Sequence, residues 1–183
     1  MSATTLDPKT ALVVVDLQKG ITALPTVHPI ADVIAHATTL ADAFRAKGLP
    51  VVLVRVTGGA PGRTEAPARS GQPAADWADI VPELGPREGD IVVTKQQWGA
   101  FYGTDLDLQL RRRGVTQVVV AGVATSIGVE STARSAYEYG YHVTIATDAV
   151  TDMSAEAHDN SVERIFPRLG ETDTTDAIIK LLG

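Results

Sequence analysis

The stretch from Val118 to Arg134 constrains this chain most. It opens on the apolar run Val118, Val119, Val120, Ala121, breaks at Gly122-Val123-Ala124-Thr125-Ser126-Ile127-Gly128, and re-emerges as a helical segment. A continuous β-branched run marks a strand buried on both faces, which is the habit of a parallel sheet covered by helices. Such sheets bind ligands beyond the carboxyl ends of their strands. The small residues of the break let a ligand approach the backbone, and the unpaired N–H groups that open a helix favour negative charge.

The same strand logic recurs along the chain. Ala11 to Leu17, Val51 to Val56, Asp90 to Lys95 and His142 to Val150 are further apolar runs, and Gly170 to Thr172 is a short edge strand. Between them, Val33, Ile34, Ala37, Leu40, Ala41 and Phe44 predict a helix over 30–47 ended by Gly48, and Leu106 and Leu110 predict another over 105–113. The 129–140 and 155–166 stretches read as helices, and Thr174 or Thr175 caps a last one. Residues 79–84 suggest a short helical turn. Six strands alternating with helices define a single α/β domain over 1–183, a three-layer, doubly wound, six-stranded parallel sheet of Rossmann-like type.

Composition narrows the function classes. Hydrophobic residues make up 44% and charged residues 21%, as in ordinary globular proteins. A net charge of -6 argues against a general nucleic-acid or anionic-membrane surface. No run approaches the ~18 to 20 apolar residues that span a bilayer, and the first eight residues lack the features of a signal segment, so a cytoplasmic location is expected. The chain has no cysteine, which excludes disulfides, thiolate metal sites and a catalytic thiol.

Chemistry is expected where strands end on charged residues. Asp16 closes the first run and Lys95 the third, on strands expected to lie either side of the central turn. Asp16 is either a catalytic group over the sheet or the cap of a turn that Gln18-Lys19-Gly20 open into a loop. Trp98, Phe101 and Tyr102 follow Lys95, and either wall a water-poor pocket or form a subunit contact. Arg63 and Arg69 stand in a Gly- and Pro-rich connection over 57–73, either solvated or closing over an anion. Asp148 reads as the organiser of the loop before the 155–166 helix, and His36 and His158 as helix-surface residues.

Three blocks carry a resemblance. Val13-Val14-Val15-Asp16-Leu17-Gln18, Val93-Thr94-Lys95 with Ala100-Phe101-Tyr102-Gly103-Thr104-Asp105-Leu106, and Gly122 through Arg134 resemble, in order, the isochorismatase-like hydrolases. The resemblance covers nearly the whole chain and implies a site built from Asp16, Lys95 and a third position at the start of the central helix. In the family's amidase branch that third residue is a nucleophilic Cys, whereas here the position is Gly128. The family's isochorismatases are known for Gly there, and hydrolyse a vinyl ether without a nucleophilic side chain. On that reading Asp16 is the proton donor, Lys95 holds it or the substrate carboxylate, and Gln18, Trp98, Phe101, Ala124 and Thr125 contact substrate, with Arg63 or Arg69 on its carboxylate. The resemblance also implies a cis bond between Val123 and Ala124. The nicotinamidase relatives' metal cluster is not matched, since 57–86 holds no His, so neither metal nor other cofactor is expected. The expected partner is a small carboxylate, with a homodimer or homotetramer as the assembly. The alternatives are a hydrolase of another substrate using Ser126 or Thr125, and a non-catalytic ligand-binding or scaffold relative.

Overall fold

The computed structural model describes residues 2–65 and 71–183. Six strands form one all-parallel sheet: β1 Thr10–Val15, β2 Val51–Val56, β3 Ile91–Lys95, β4 Gln117–Val123, β5 His142–Thr151 and β6 Glu171–Asp173. Their order is β3-β2-β1-β4-β5-β6, so the chain runs outward from β1 to β3 and then returns to β1's other side with β4. The expected doubly wound architecture is therefore present. The reversal between β1 and β4 places the crevice where a ligand is expected at the carboxyl ends of those two strands.

Period-two alternation divides the core. Ala11, Val13 and Val15 pack with Leu106, Leu110, Ala133, Ala136 and Phe166, whereas Leu12 and Val14 pack with Ala37, Leu40, Ala41, Phe44 and Ile178. The first group comes from α3 Leu106–Arg112, α4 Glu130–Glu138 and α6 Phe166–Leu169; the second comes from α2 Ile30–Ala46 and α7 Thr175–Leu181. Every β1 and β4 residue is buried, as their unbroken apolar runs require. Among the described residues no helix is long and apolar enough to cross a membrane.

Several local expectations shift. Gln18-Lys19-Gly20 do not open a plain loop, because Lys19–Thr22 form the short helix α1. Gly20 is required there: a Cβ would lie 1.9 Å from the Trp77 ring. The single helix over 155–166 is interrupted. α5 Ala155–Asn160 passes through a π-helical turn, Ser161–Ile165, into α6. A second π-helical turn, Thr125–Val129, precedes α4. The β5 pairing with β4 carries a register shift opposite Ala121, and Asp148 lies in the displaced stretch. Its Oδ1 accepts from Thr175 N and Oγ1, both 2.8 Å, so it fixes the start of α7 rather than the loop after β5. Thr174 supplies the cap of α7. His36 is half-buried, with Nδ1 2.8 Å from Asp148 O.

Candidate active site at the carboxyl ends of the central strands

Asp16 leaves β1 with φ 54°, the only non-glycine residue at positive φ among those described. Asp tolerates this left-handed conformation better than most residues, yet it is an uncommon one that clusters at functional positions. It turns the carboxylate back over the strand end. There Lys95 Nζ, carried at the end of β3, donates to Asp16 Oδ2 at 2.7 Å and to Gln97 O at 3.0 Å. Asp16 and Lys95 are only 6% and 2% exposed. They do not flank the central turn as expected. Both lie on the same side of β4, and Lys95 reaches past the end of β2 to meet Asp16.

The two carboxylate oxygens differ. Oδ2 is held by Lys95, whereas Oδ1 is buried without a hydrogen-bond partner. Burial raises the Asp16 carboxyl from 3.8 to about 6, against the lowering effect of the Lys95 charge and hydrogen bond. A buried, orphaned oxygen on an acid of this strength is the place for a proton or a ligand donor.

Gly128 closes the site from the other strand. A Cβ built on it would lie 3.0 Å from Val15 Cγ1, 3.2 Å from Asp16 Oδ2 and 3.4 Å from Val123 O. The sequence-derived trio of Asp16, Lys95 and Gly128 is thus brought together, with Gly128 directly against the carboxylate. The Val123–Ala124 bond is cis. Ala124 and Thr125 are buried beside it.

The turn is secured from behind by Asp152 and His158. Asp152 Oδ2 accepts from Ser126 N and Oγ, both 2.8 Å, while its Oδ1 accepts from Met153 N and Ser154 N. Thr125 Oγ1 lies 2.9 Å from Nδ1 of His158, which is buried rather than on the helix surface. A signal for this was available: His158, Ser161, Ile165 and Phe166 fall at i, i+3, i+7 and i+8, one helical face.

Other assignments change with the geometry. Gln18 is fully buried and its amide is committed to backbone: Oε1 accepts from Val56 N at 2.7 Å, and Nε2 donates to Val56 O and Trp77 O. It ties β1 to β2 and has no group left for substrate. The aromatic cluster does not wall one pocket. Ala100 N is anchored to Thr132 Oγ1 on α4, which turns Phe101 inward against Tyr139 and Tyr141, leaving Trp98 and Tyr102 65% and 80% exposed. Arg63 is exposed and makes no hydrogen bond or ion pair with a described residue, and Arg69 lies outside the described residues. Among the described residues no group of His, Cys, Asp and Glu is arranged to hold a metal ion. A depression of about 440 Å³ lies at the opposite, amino-terminal end of the sheet, where Arg45 is paired with Asp90 at 2.7 Å.

A strand-end acid beside a strand-end lysine, both facing the start of the helix after β4 on this sheet order, defines a class. Residues 10–177 match the Isochorismatase domain, and the chain belongs to that hydrolase family. It is 47% identical over 179 residues to the uncharacterized isochorismatase family protein YwoC of Bacillus subtilis (strain 168), covering 94% of this chain and 93% of that one. The structure of an isochorismatase family protein from Burkholderia thailandensis superposes with a TM-score of 0.93 at 45% identity, covering 97% of each chain. The ureidoacrylate amidohydrolase RutB of Pseudomonas syringae pv. syringae (strain B728a) is 32% identical over 178 residues, covering 81% of this chain and 73% of that one.

Proposed function

We propose that this hydrolase cleaves the vinyl ether of a small carboxylate, as an isochorismatase does, by acid catalysis without a covalent nucleophile and without a metal. The observation that carries this reading is the state of Asp16: a buried acid raised to about 6, with one oxygen fixed by Lys95 and the other unpartnered. Oδ1–H protonates the terminal methylene carbon, leaving an oxocarbenium ion. Water adds to that ion and loses a proton, and the resulting hemiketal breaks its C–O bond to release pyruvate and a ring alcohol. Lys95 fixes the acid's orientation. Gly128, in this reading, stands where the amidase branch carries Cys, and the bare backbone leaves Asp16 uncrowded. Trp98 and Tyr102 suit contact with a second copy in a homodimer or homotetramer.

The test is isochorismate turnover followed by pyruvate release. Asp16→Asn, which suits the left-handed backbone, should lower kcat by ~2 to 4 orders of magnitude, the range of general-acid contributions, with the circular dichroism spectrum unchanged. The parent protein's failure to release pyruvate would sink the substrate, and an unimpaired variant would sink the role.

One observation favours a second reading, amide hydrolysis with Thr125 as nucleophile: His158 Nδ1 stands 2.9 Å from its hydroxyl. Ammonia release from ureidoacrylate that disappears in Thr125→Val would support this reading over the first.

A further inference from the structure

Behind the turn lies a cluster that the proposed chemistry does not use. His158 on α5 faces Thr125 through Nδ1 and meets the His28 ring edge-on, with centroids 4.6 Å apart. His28 Nδ1 is in turn 3.1 Å from Thr151 Oγ1 at the end of β5. Four segments converge on one imidazole pair: the stretch before α2, the 125–129 turn, and the end of β5 with the α5 that follows it. The contact falls on Thr125, three residues before Gly128.

We propose that His158 is a positioning residue for the 124–128 turn: its neutral imidazole holds Thr125 from behind, and a proton on His158, buried against the His28 ring, loosens that hold and with it the placement of Gly128 against Asp16. The surroundings of the ring support this. His158 is buried, so a charge on it lacks water. Its facing ring is another imidazole, which repels a second positive charge at this separation. The acidic groups nearby do little to offset that. Asp152 is committed to Ser126, Met153 and Ser154; Glu130 is bound by Arg134 and Ser161; and Asp159 is exposed. Burial first, and His28 second, hold the His158 imidazole below its ordinary 6.5, while Asp159 and Asp152 pull it upward.

The inference deepens the proposed acid mechanism and rests on it for its kinetic form. Asp16 works protonated and loses activity as pH rises past about 6, whereas His158 works neutral and loses activity as pH falls below its own value. Turnover then follows a bell with limbs that belong to different residues.

The experiment measures kcat and KM for isochorismate from acid to alkaline pH in wild type, His158→Ala and His158→Asn. Misplacing a reacting group by a fraction of an ångström to 1 Å costs up to ~100-fold, so His158→Ala should lower kcat by ~10- to 100-fold with KM little changed. Asn sets an amide where Nδ1 stands, and cannot be protonated. His158→Asn should recover most of the activity that Ala loses, keep the alkaline limb and lack the acid limb. An acid limb retained in His158→Asn, or a kcat undiminished in His158→Ala, overturns the proposal.

A readout without turnover separates this from the choice of substrate. In 15N-labelled Asp16→Asn protein, where the neighbouring carboxyl no longer titrates, the Thr125 and Gly128 amide resonances should shift with the same midpoint as the His158 ring proton. Amides that ignore the His158 titration overturn the proposal even if isochorismate is not the substrate.

Discussion

Asp16 and Lys95 act on one another, and their pairing sets the strength of the acid. The Lys95 charge lowers the Asp16 carboxyl that burial raises, so Lys95→Met should push it above its present value of about 6. The alkaline limb of kcat/KM should then move to higher pH, even if the maximum falls because the acid is less well oriented; a limb that stays in place would show that Lys95 does not set the acid's strength. Gly128 is legible in the sequence as the third site position only through the family resemblance, and what the structure adds is spatial. A methyl group there meets Val15 Cγ1 at 3.0 Å and Asp16 Oδ2 at 3.2 Å, tighter than ordinary van der Waals contact. Gly128→Ala should therefore cost ~1 to 3 kcal/mol of unfolding free energy by overpacking, measured by urea denaturation, and should lower turnover by displacing the carboxylate. A neutral result would mean that β1 and the turn yield easily to one another.

The strands and the long helix α2 could be read from the sequence because their signals are local. β-branched runs marked β1, β2 and β4, and the 3.6-residue spacing from Val33 to Phe44 marked α2, ended as expected at Gly48. What could not be read is the polar wiring between elements. Gln18 follows a strand in the sequence and looks like a loop residue, yet its partner Val56 is 38 residues away. Cutting that amide back to Ala leaves a buried N–H and C=O without partners, so Gln18→Ala should destabilise by ~2 to 4 kcal/mol. The effect belongs to the β1–β2 junction, and a loss confined to KM with unchanged stability would return Gln18 to the substrate. The π-helical turns at Thr125–Val129 and Ser161–Ile165 were equally hidden, since a single wider turn is too short to carry a periodicity of its own. They matter to the site: one carries Gly128, and the other follows the helix that carries His158.

At the scale of the molecule, the buried acid couples the site to stability. Its folded value of about 6 lies above the free 3.8, so the folded state binds the proton more tightly. The stabilisation is complete below pH 3.8 and is lost as pH rises through about 6. Wild type should therefore lose ~2 kcal/mol relative to Asp16→Asn between pH 4 and pH 7, read as the difference between two urea series. A difference that does not vary with pH would mean that the carboxyl is as free to ionise folded as unfolded. His158 contributes in the opposite sense, its stabilisation being lost as pH falls below 6.5, and it remains in both proteins. The strand order has a consequence in time as well as in space. β1 is the first strand to be synthesised and lies at the centre of the sheet, but its neighbours are β2 and β4. Roughly a hundred residues separate its end from the end of β4, about 5 to 20 s of translation. Through that interval a strand that is apolar from Ala11 to Val15 has at most one neighbour, and its open edge is a template for other chains. Asp16, the acid of the proposed site, is thus among the first residues to be made, yet it meets Gly128 only after β4 has closed beside β1, so a ribosome stalled before β4 presents an adhesive nascent chain rather than a partial site.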